Sequence, residues 1–331
     1  MRARGAQFTA GVPRDLQGFL SYIGRVTWER TTRCAKPWAG ANFNTLSQDS
    51  PSLMIPLLER LTSPRVAGER AQALQAERPL IIMSRGKSGT RLLTWACQGL
   101  GFAMGASEKV QTADLDDRRF RQAIKKLAQR SLHITHSSQV DPNDLRWFQR
   151  EALRIRDKLL AGGGALHGWG WKWPETYLIG PYLHATFPQA RYLHLVRDGR
   201  DLAFKTHLTD DPRRKLGRAL LGHIGALGQP RYLQAAQSWA FQVARYRALC
   251  EEIPPENNLE MRYEALCEDP MREMQRVADF MGVPMNDACR TYVKESVSEG
   301  EIGQYRGADP AKISQVEAAI GPELRAWGYL P

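Results

Sequence analysis

Long apolar runs are missing from this 331-residue chain, and no stretch reaches the 18 residues that a membrane-spanning helix needs. The first twenty residues, MRARGAQFTAGVPRDLQGFL, hold basic side chains but no continuous apolar segment of signal-peptide length. Together these absences predict a cytoplasmic protein. Cysteine is scarce. The five that occur (Cys34, Cys97, Cys250, Cys267, Cys289) are widely spaced, odd in number and never arranged as CxxC. That excludes a disulfide framework and a zinc ribbon, and predicts reduced thiols. Internal repeats and low-complexity tracts are lacking too. Lysine is rare, since 35 of the 46 basic residues are arginine. With 35 acidic residues the net charge is +11. Arginine suits bidentate capture of phosphate and sulfate, and a basic excess attracts nucleic acid, anionic lipid or an anionic small molecule. A high-GC genome that writes arginine for lysine explains the bias equally well. No homeodomain, zinc-finger or RNP signature accompanies the charge, so nucleic acid is not the expected partner.

What is present is ordinary globular composition, with 43% hydrophobic and 24% charged residues. Residues 1–77 read as an N-terminal extension packed on the main domain, with helical patterns at 54–61 and 68–77. Residues 78–331 read as one domain. Within it, PLIIMS (79–84) is a short apolar run expected of a buried parallel strand. TRLLTWACQGLG (90–101) is an apolar-rich helix closed by Gly99 and Gly101. Residues 118–130 and 142–161 predict helices with arginine-rich outer faces. HGWGWK (167–172) predicts a strand end leading into a helix over 174–188, with Pro174 in its first turn. ARYLHLV (190–196) is a second buried strand and LEMRYEAL (259–266) a third. A long helix is predicted at 231–252, and another at 269–282 that stops at Gly282. Strands alternating with helices indicate an α/β fold, a parallel sheet with helices on both faces.

The turn after the first strand is Ser84-Arg85-Gly86-Lys87-Ser88-Gly89-Thr90-Arg91. A glycine-rich turn between a strand and a helix N-terminus aims free N–H groups and the helix dipole at one spot, which makes an anion site. Gly86-Lys87-Ser88 invites comparison with the G-x-x-x-x-G-K-[ST] loop of nucleotide-dependent kinases. That loop would place its first glycine at Ile81, inside the strand, so the signature fails. A P-loop kinase remains the runner-up, and a non-catalytic anion- or nucleic-acid-binding module a third reading.

Three elements in order resemble the sulfotransferases that use 3′-phosphoadenosine 5′-phosphosulfate (PAPS). KSGTRLL after a buried strand resembles the 5′-phosphosulfate loop, usually written PKSGTT or PRSGTT. FPQARYLHLVRDGRDLAFK (187–205) resembles the 3′-phosphate strand and helix. LEMRYEALCEDPMREMQRVADFMGV (259–283) is similar to the family's Y-E-x-L-x-x-x-P…FLG segment. The resemblance covers roughly 79–330 and implies a P-loop-like parallel sheet in a single sulfotransferase domain.

The resemblance also implies roles. PAPS is the co-substrate, and no metal is needed, because a sulfuryl group carries less charge than a phosphoryl group. Lys87 contacts the donor's leaving group, and Arg85, Gly86, Ser88, Gly89, Thr90 and Arg91 complete the 5′-phosphate loop. Arg197 matches the 3′-phosphate arginine. Its usual serine partner eight residues later is here Lys205. Tyr263 matches a tyrosine beside the adenine half, with a core tyrosine as the alternative. In SVSEGEIGQYRG (296–307), Ser298 and Arg306 are candidates for the sulfate end and the 3′-phosphate. Lys172, in GWKWPE, matches a lysine that faces the transferred sulfate in tyrosylprotein-type enzymes. Glu108, 21 residues after Lys87, stands where those enzymes carry a glutamate base. Cytosolic members use histidine, which keeps His133 and His136 as rivals. The expected acceptor is a small molecule, saccharide or lipid bearing a hydroxyl (less favoured, an amine), bound by residues 102–165 and 206–230, whose basic content points to an anionic one.

Overall fold

The computed structural model describes residues 72–107, 109–297 and 301–331. Most of the extension expected at 1–77 therefore lies outside the described residues, as does the helical pattern at 54–61. Of the 68–77 pattern, a short helical turn at 72–75 is described.

Five parallel strands form one sheet: β1 (Leu80–Met83), β2 (Phe102–Ala103), β3 (Gly168–Lys172), β4 (Arg191–Val196) and β5 (Asn258–Arg262), in the spatial order β2-β3-β1-β4-β5. The near-continuous apolar strands follow from burial on both faces. Side chains alternate across the sheet as its two-residue period requires. Leu80, Ile82, Leu193, Leu195 and Met261 enter one core, with residues from α1 (Thr90–Gly99), α9 (Pro270–Met281) and α10 (Asp287–Ser296). Ile81, Met83 and Tyr192 enter the other, with residues from α2 (Arg118–Arg130), α3 (Pro142–Ala161) and α7 (Arg231–Cys250). The C-terminal helix α11 (Pro310–Ala326) packs on α7 and on the short α5 (Gly199–Ala203). Among the described residues no helix is long and apolar enough to cross a membrane.

Most expected elements form, with three corrections. The helix expected over 174–188 is broken into a 3₁₀ stretch, Pro174–Ile179, and α4, Gly180–Thr186. Pro181 has no N–H and its ring clashes with the preceding turn, so the regular helix restarts there. The strand expected over 259–266 ends at Arg262, and Tyr263 opens the helix α8 (Tyr263–Glu268). Strand β2 and helix α6 (Lys215–His223) were not expected at all.

The strand order places the functional edge. The chain leaves β1 toward β2 on one side and leaves β4 toward β5 on the other. The loops after β1 and β4 therefore flank a topological switch point, where open α/β sheets bind ligands. Ser84 Oγ donates to Leu195 O across this point at 2.7 Å.

One buried arginine holds the opposite wall in place. Arg245 donates to the carbonyls of Leu132 (2.9 Å), Leu178 (3.2 Å) and Ser131 (3.5 Å). It thus ties the C-terminal end of α2 to the 3₁₀ stretch, and with no carboxylate beside it burial pushes its pKa down to about 10. Substituting Arg245→Leu strips buried carbonyls of their donor. We expect a loss of about 1–3 kcal/mol or more of unfolding free energy in urea titration. An unchanged midpoint would show that water replaces the guanidinium.

Candidate functional site

The phosphate-type loop takes its shape from its own residues. Gly89 caps α1 with φ +90°, and no side chain among the described residues caps that helix. A Cβ at Gly89 would lie 2.5 Å from the Tyr263 ring, so the position excludes any other residue on two counts. Lys87 is held at φ +76°, sparsely populated for a residue with a Cβ. Ser88 Oγ donates to Arg85 O at 2.8 Å, which closes the turn. The result is an uncapped helix N-terminus with exposed Lys87 and Arg91 at its mouth. No acidic residue sits in the first turn, so the dipole is left for a bound anion. Ile81, where a kinase loop needs glycine, is a fully buried strand residue.

Arg85 is turned away from this mouth. It is 2% exposed, and its Nη2 meets Asp210 Oδ2 at 2.6 Å and Lys205 O at 3.4 Å. Arg231 adds a second cation to Asp210 at 3.6 Å. The segment 205–211 is thereby fastened to the loop. It carries His207, whose ring lies against Gly86: a Cβ there would be 1.9 Å from His207 Nε2. The family loop has proline at that position, and here the imidazole takes the space. Thr209 N donates to His207 Nδ1 at 3.2 Å. Burial, then Arg85, Lys87, Lys172 and Lys125, push His207 down to a pKa of about 3, so the ring is neutral. The sequence offered one clue to His207, glycine where proline is usual.

The end of β3 brings a second charged group to the loop. Lys172 is buried, donates to Thr112 O at 2.7 Å and pairs with Asp114. Burial lowers its pKa, Asp114 opposes that shift, and Arg91 adds to it. Glu175 is buried three residues on, 3.6 Å from Lys125 Nζ, and burial raises its pKa. Its Oε2 has no hydrogen-bond partner among the described residues. Lys125 and Arg121 both lie over the Trp173 ring, at 5.0 and 4.9 Å. Beyond them, Arg213, Lys215 and Arg218 line a shallow basic depression.

After β4, Arg197 is 2% exposed. Its Nη1 reaches Lys87 O at 3.4 Å, its Nη2 meets Asp201 at 3.0 Å, and its guanidinium lies 4.2 Å from the Tyr263 ring centroid. Tyr263 thus stands between the β1 loop and Arg197. Lys205 Nζ meets Glu301 Oε2 at 2.8 Å. Arg306 is exposed and folds back over Gly303, its Nη1 2.5 Å from where a Cβ would sit. Arg200 pairs with Asp198 and Glu317, away from Asp201.

The remaining candidates separate. Glu108 and Ser298 lie outside the described residues. His136 caps the short turn Ser137–Gln139, and Ser137 N is held by Glu252 at 3.0 Å. Glu252 follows α7, just before β5 begins, so His136 belongs to the sheet edge opposite the loop. His133 lies near His223. No cluster of three or more His, Cys, Asp or Glu able to hold a metal occurs among the described residues.

A family model described as "Sulfotransferase family" matches residues 52–287. The chain is similar to a protein-tyrosine sulfotransferase of Drosophila melanogaster, 28% identical over 48% of this chain and 34% of the relative. It is also similar to protein-tyrosine sulfotransferase A of Caenorhabditis elegans, 28% identical over 48% of this chain and 44% of the relative. The chain therefore matches less than half the length of either. Among solved structures it resembles a sulfotransferase from Mycobacterium avium with TM-score 0.47 and 15% identity, covering 97% of this chain and 98% of that one.

The Arg85–Asp210 pair yields a direct expectation. Removing one member of a buried pair leaves the other charge uncompensated, at about 3–5 kcal/mol. Asp210→Ala should lower unfolding free energy by that amount, measured by chemical denaturation. A change below about 1 kcal/mol would mean that the pair is not the fastening it resembles.

Proposed function

The chain belongs to the sulfotransferase family, and we propose that it moves a sulfuryl group from PAPS to a hydroxyl of an anionic acceptor. One observation carries the reading. Two cationic sites flank the sheet's switch point, the uncapped loop at 86–91 and the Arg197–Lys205–Arg306 group, with Tyr263 between them. A nucleotide with a 5′-phosphosulfate and a 3′-phosphate has matching charges at matching ends. Arg197 Nε, buried and without a partner among the described residues, is a donor suited to such a phosphate.

In this reading the exposed Lys87 and the N–H groups of residues 88–91 hold the donor's 5′ end. Lys87 meets charge that builds on the bridging oxygen as the S–O bond breaks. Lys172, buried and paired with Asp114, faces the equatorial oxygens. Arg85 shapes the loop through its backbone, and its side chain anchors segment 205–211. Glu108 is the base that takes the acceptor proton, a role assigned by its place beyond α1. Lys125, Arg121 and the depression at Arg213, Lys215 and Arg218 favour an acidic acceptor, whether saccharide, lipid or small molecule. The relatives' names add a tyrosine hydroxyl to that range. None of the four described cysteines is in a disulfide among the described residues, which fits a reducing compartment, and we read the protein as cytoplasmic. Residues 78–331 are taken as the catalytic domain.

Thermal shift tests the donor. Adenosine 3′,5′-bisphosphate without metal should stabilise the protein, by about 2.7 kcal/mol at a hundredfold excess over Kd. A larger shift with magnesium ATP would favour a kinase.

Kinetics test the roles. Lys87→Ala should cost about 100- to 1,000-fold in turnover while the bisphosphate still binds, whereas Arg197→Ala should weaken binding. Glu108→Gln should lower turnover by about 100-fold or more and remove the acid limb of the rate–pH profile. Normal turnover in Glu108→Gln with a collapse in His133→Ala or His136→Ala would move the base to histidine.

A further inference from the structure

An acidic side chain of the chain itself stands where the donor's 3′-phosphate is expected. Glu301 Oε2 lies 2.8 Å from Lys205 Nζ, and the carbonyl of the same residue accepts from Arg197 Nη2. These are two of the three cations that the proposed function gives to the 3′-phosphate. The third, Arg306, folds over Gly303, two residues on.

The position of Glu301 is over-determined. Asp201, 1% exposed, accepts from Gly303 N and Tyr305 N, each at 3.0 Å, and from Arg197 Nη2 at 3.0 Å. One buried carboxylate thus fixes both Arg197 and the backbone that carries Glu301. Lys205, and then Arg197, hold the Glu301 carboxyl below its usual range, so it is ionised at neutral pH. The two partners differ in exposure. The Glu301 side chain is 50% exposed and that of Lys205 21%, so the acid can turn out to water while the lysine stays.

We propose that Glu301 is an internal competitor for the 3′-phosphate subsite, a resident counter-ion that a 3′-phosphorylated nucleotide must displace. The inference rests on the proposed donor. A carboxylate and a phosphate cannot share Lys205 without like-charge repulsion, and the phosphate, with the greater charge and more acceptor oxygens, wins. The displacement takes part of the binding free energy of every nucleotide that carries a 3′-phosphate. Nucleotides lacking that group leave the pair intact. The consequence is a softer hold on the spent bisphosphate, and so easier exchange for fresh donor.

Isothermal titration of the full chain with adenosine 3′,5′-bisphosphate and with adenosine 5′-monophosphate separates the outcomes. Glu301→Gln should tighten the bisphosphate roughly two- to fivefold, the range expected for losing a partly exposed ion pair, and leave the monophosphate unchanged. Lys205→Ala should weaken the bisphosphate, and Glu301→Gln should add little in that background, because the pair is already gone. An unchanged or weaker bisphosphate in Glu301→Gln overturns the inference. So does an equal gain for the monophosphate, which would reveal a general field effect. If the wild type binds the bisphosphate no better than the monophosphate, the 3′-phosphate subsite itself fails, and the donor assignment with it.

Discussion

A guanidinium and a carboxylate that water scarcely touches, Arg85 and Asp210, decide how the two halves of the site meet. The loop after β1 is local in sequence and would form its turn in many contexts. The segment 205–211 has no regular structure to hold it there. Their junction places His207 on Gly86 and brings the Lys205 carbonyl to Arg85. The donor-side loop and the acceptor-side wall consequently move as one body. A buried pair of this kind contributes less to stability than its geometry suggests, because desolvation offsets the attraction. Its value here is positional, since neither charge has another place to go.

The site as a whole is a cationic field restrained by a few internal acids. Lys87 and Arg91 stand exposed, while Lys172 is paired with Asp114 and Arg197 with Asp201. The pattern separates exposed cations at the loop mouth from buried cations that each have an internal acid beside them. His207 reports the imbalance: burial first, and then its positive neighbours, keep the ring neutral. Glu301, half exposed and paired with Lys205, belongs to the same set of internal acids.

Much of the fold was legible because its signals are local. Helices at 118–130 and 142–161 show a clear amphipathic period, and β1 and β4 are apolar runs with no alternation, as burial on both faces demands. The KSGTR turn was legible as an anion site since glycines, hydroxyls and cations in eight positions point to one chemistry. Other elements left no such trace. Strand Phe102–Ala103 is too short to show a period. The break at Gly180–Pro181 depended on weighing one proline against a long apolar pattern. Tyr263 was assigned to a strand and opens a helix instead, because a strand's last residue and a helix's first look alike in a chain of mixed propensity.

By itself the sequence determined the α/β alternation, the glycine-rich turn after β1, the place of Lys87 and Arg197 in the turns after β1 and β4, and the family resemblance, all of which reside in short contiguous segments. Only the tertiary structure decided what Arg85, His207, Asp210, Asp201 and Glu301 do. Each is defined by a contact across a long stretch of chain, such as the 125 residues between Arg85 and Asp210 or the 104 between Arg197 and Glu301. A charge in sequence has no assigned partner until the backbone closes those loops, so whether it binds ligand, anchors a segment or occupies a subsite is settled by packing.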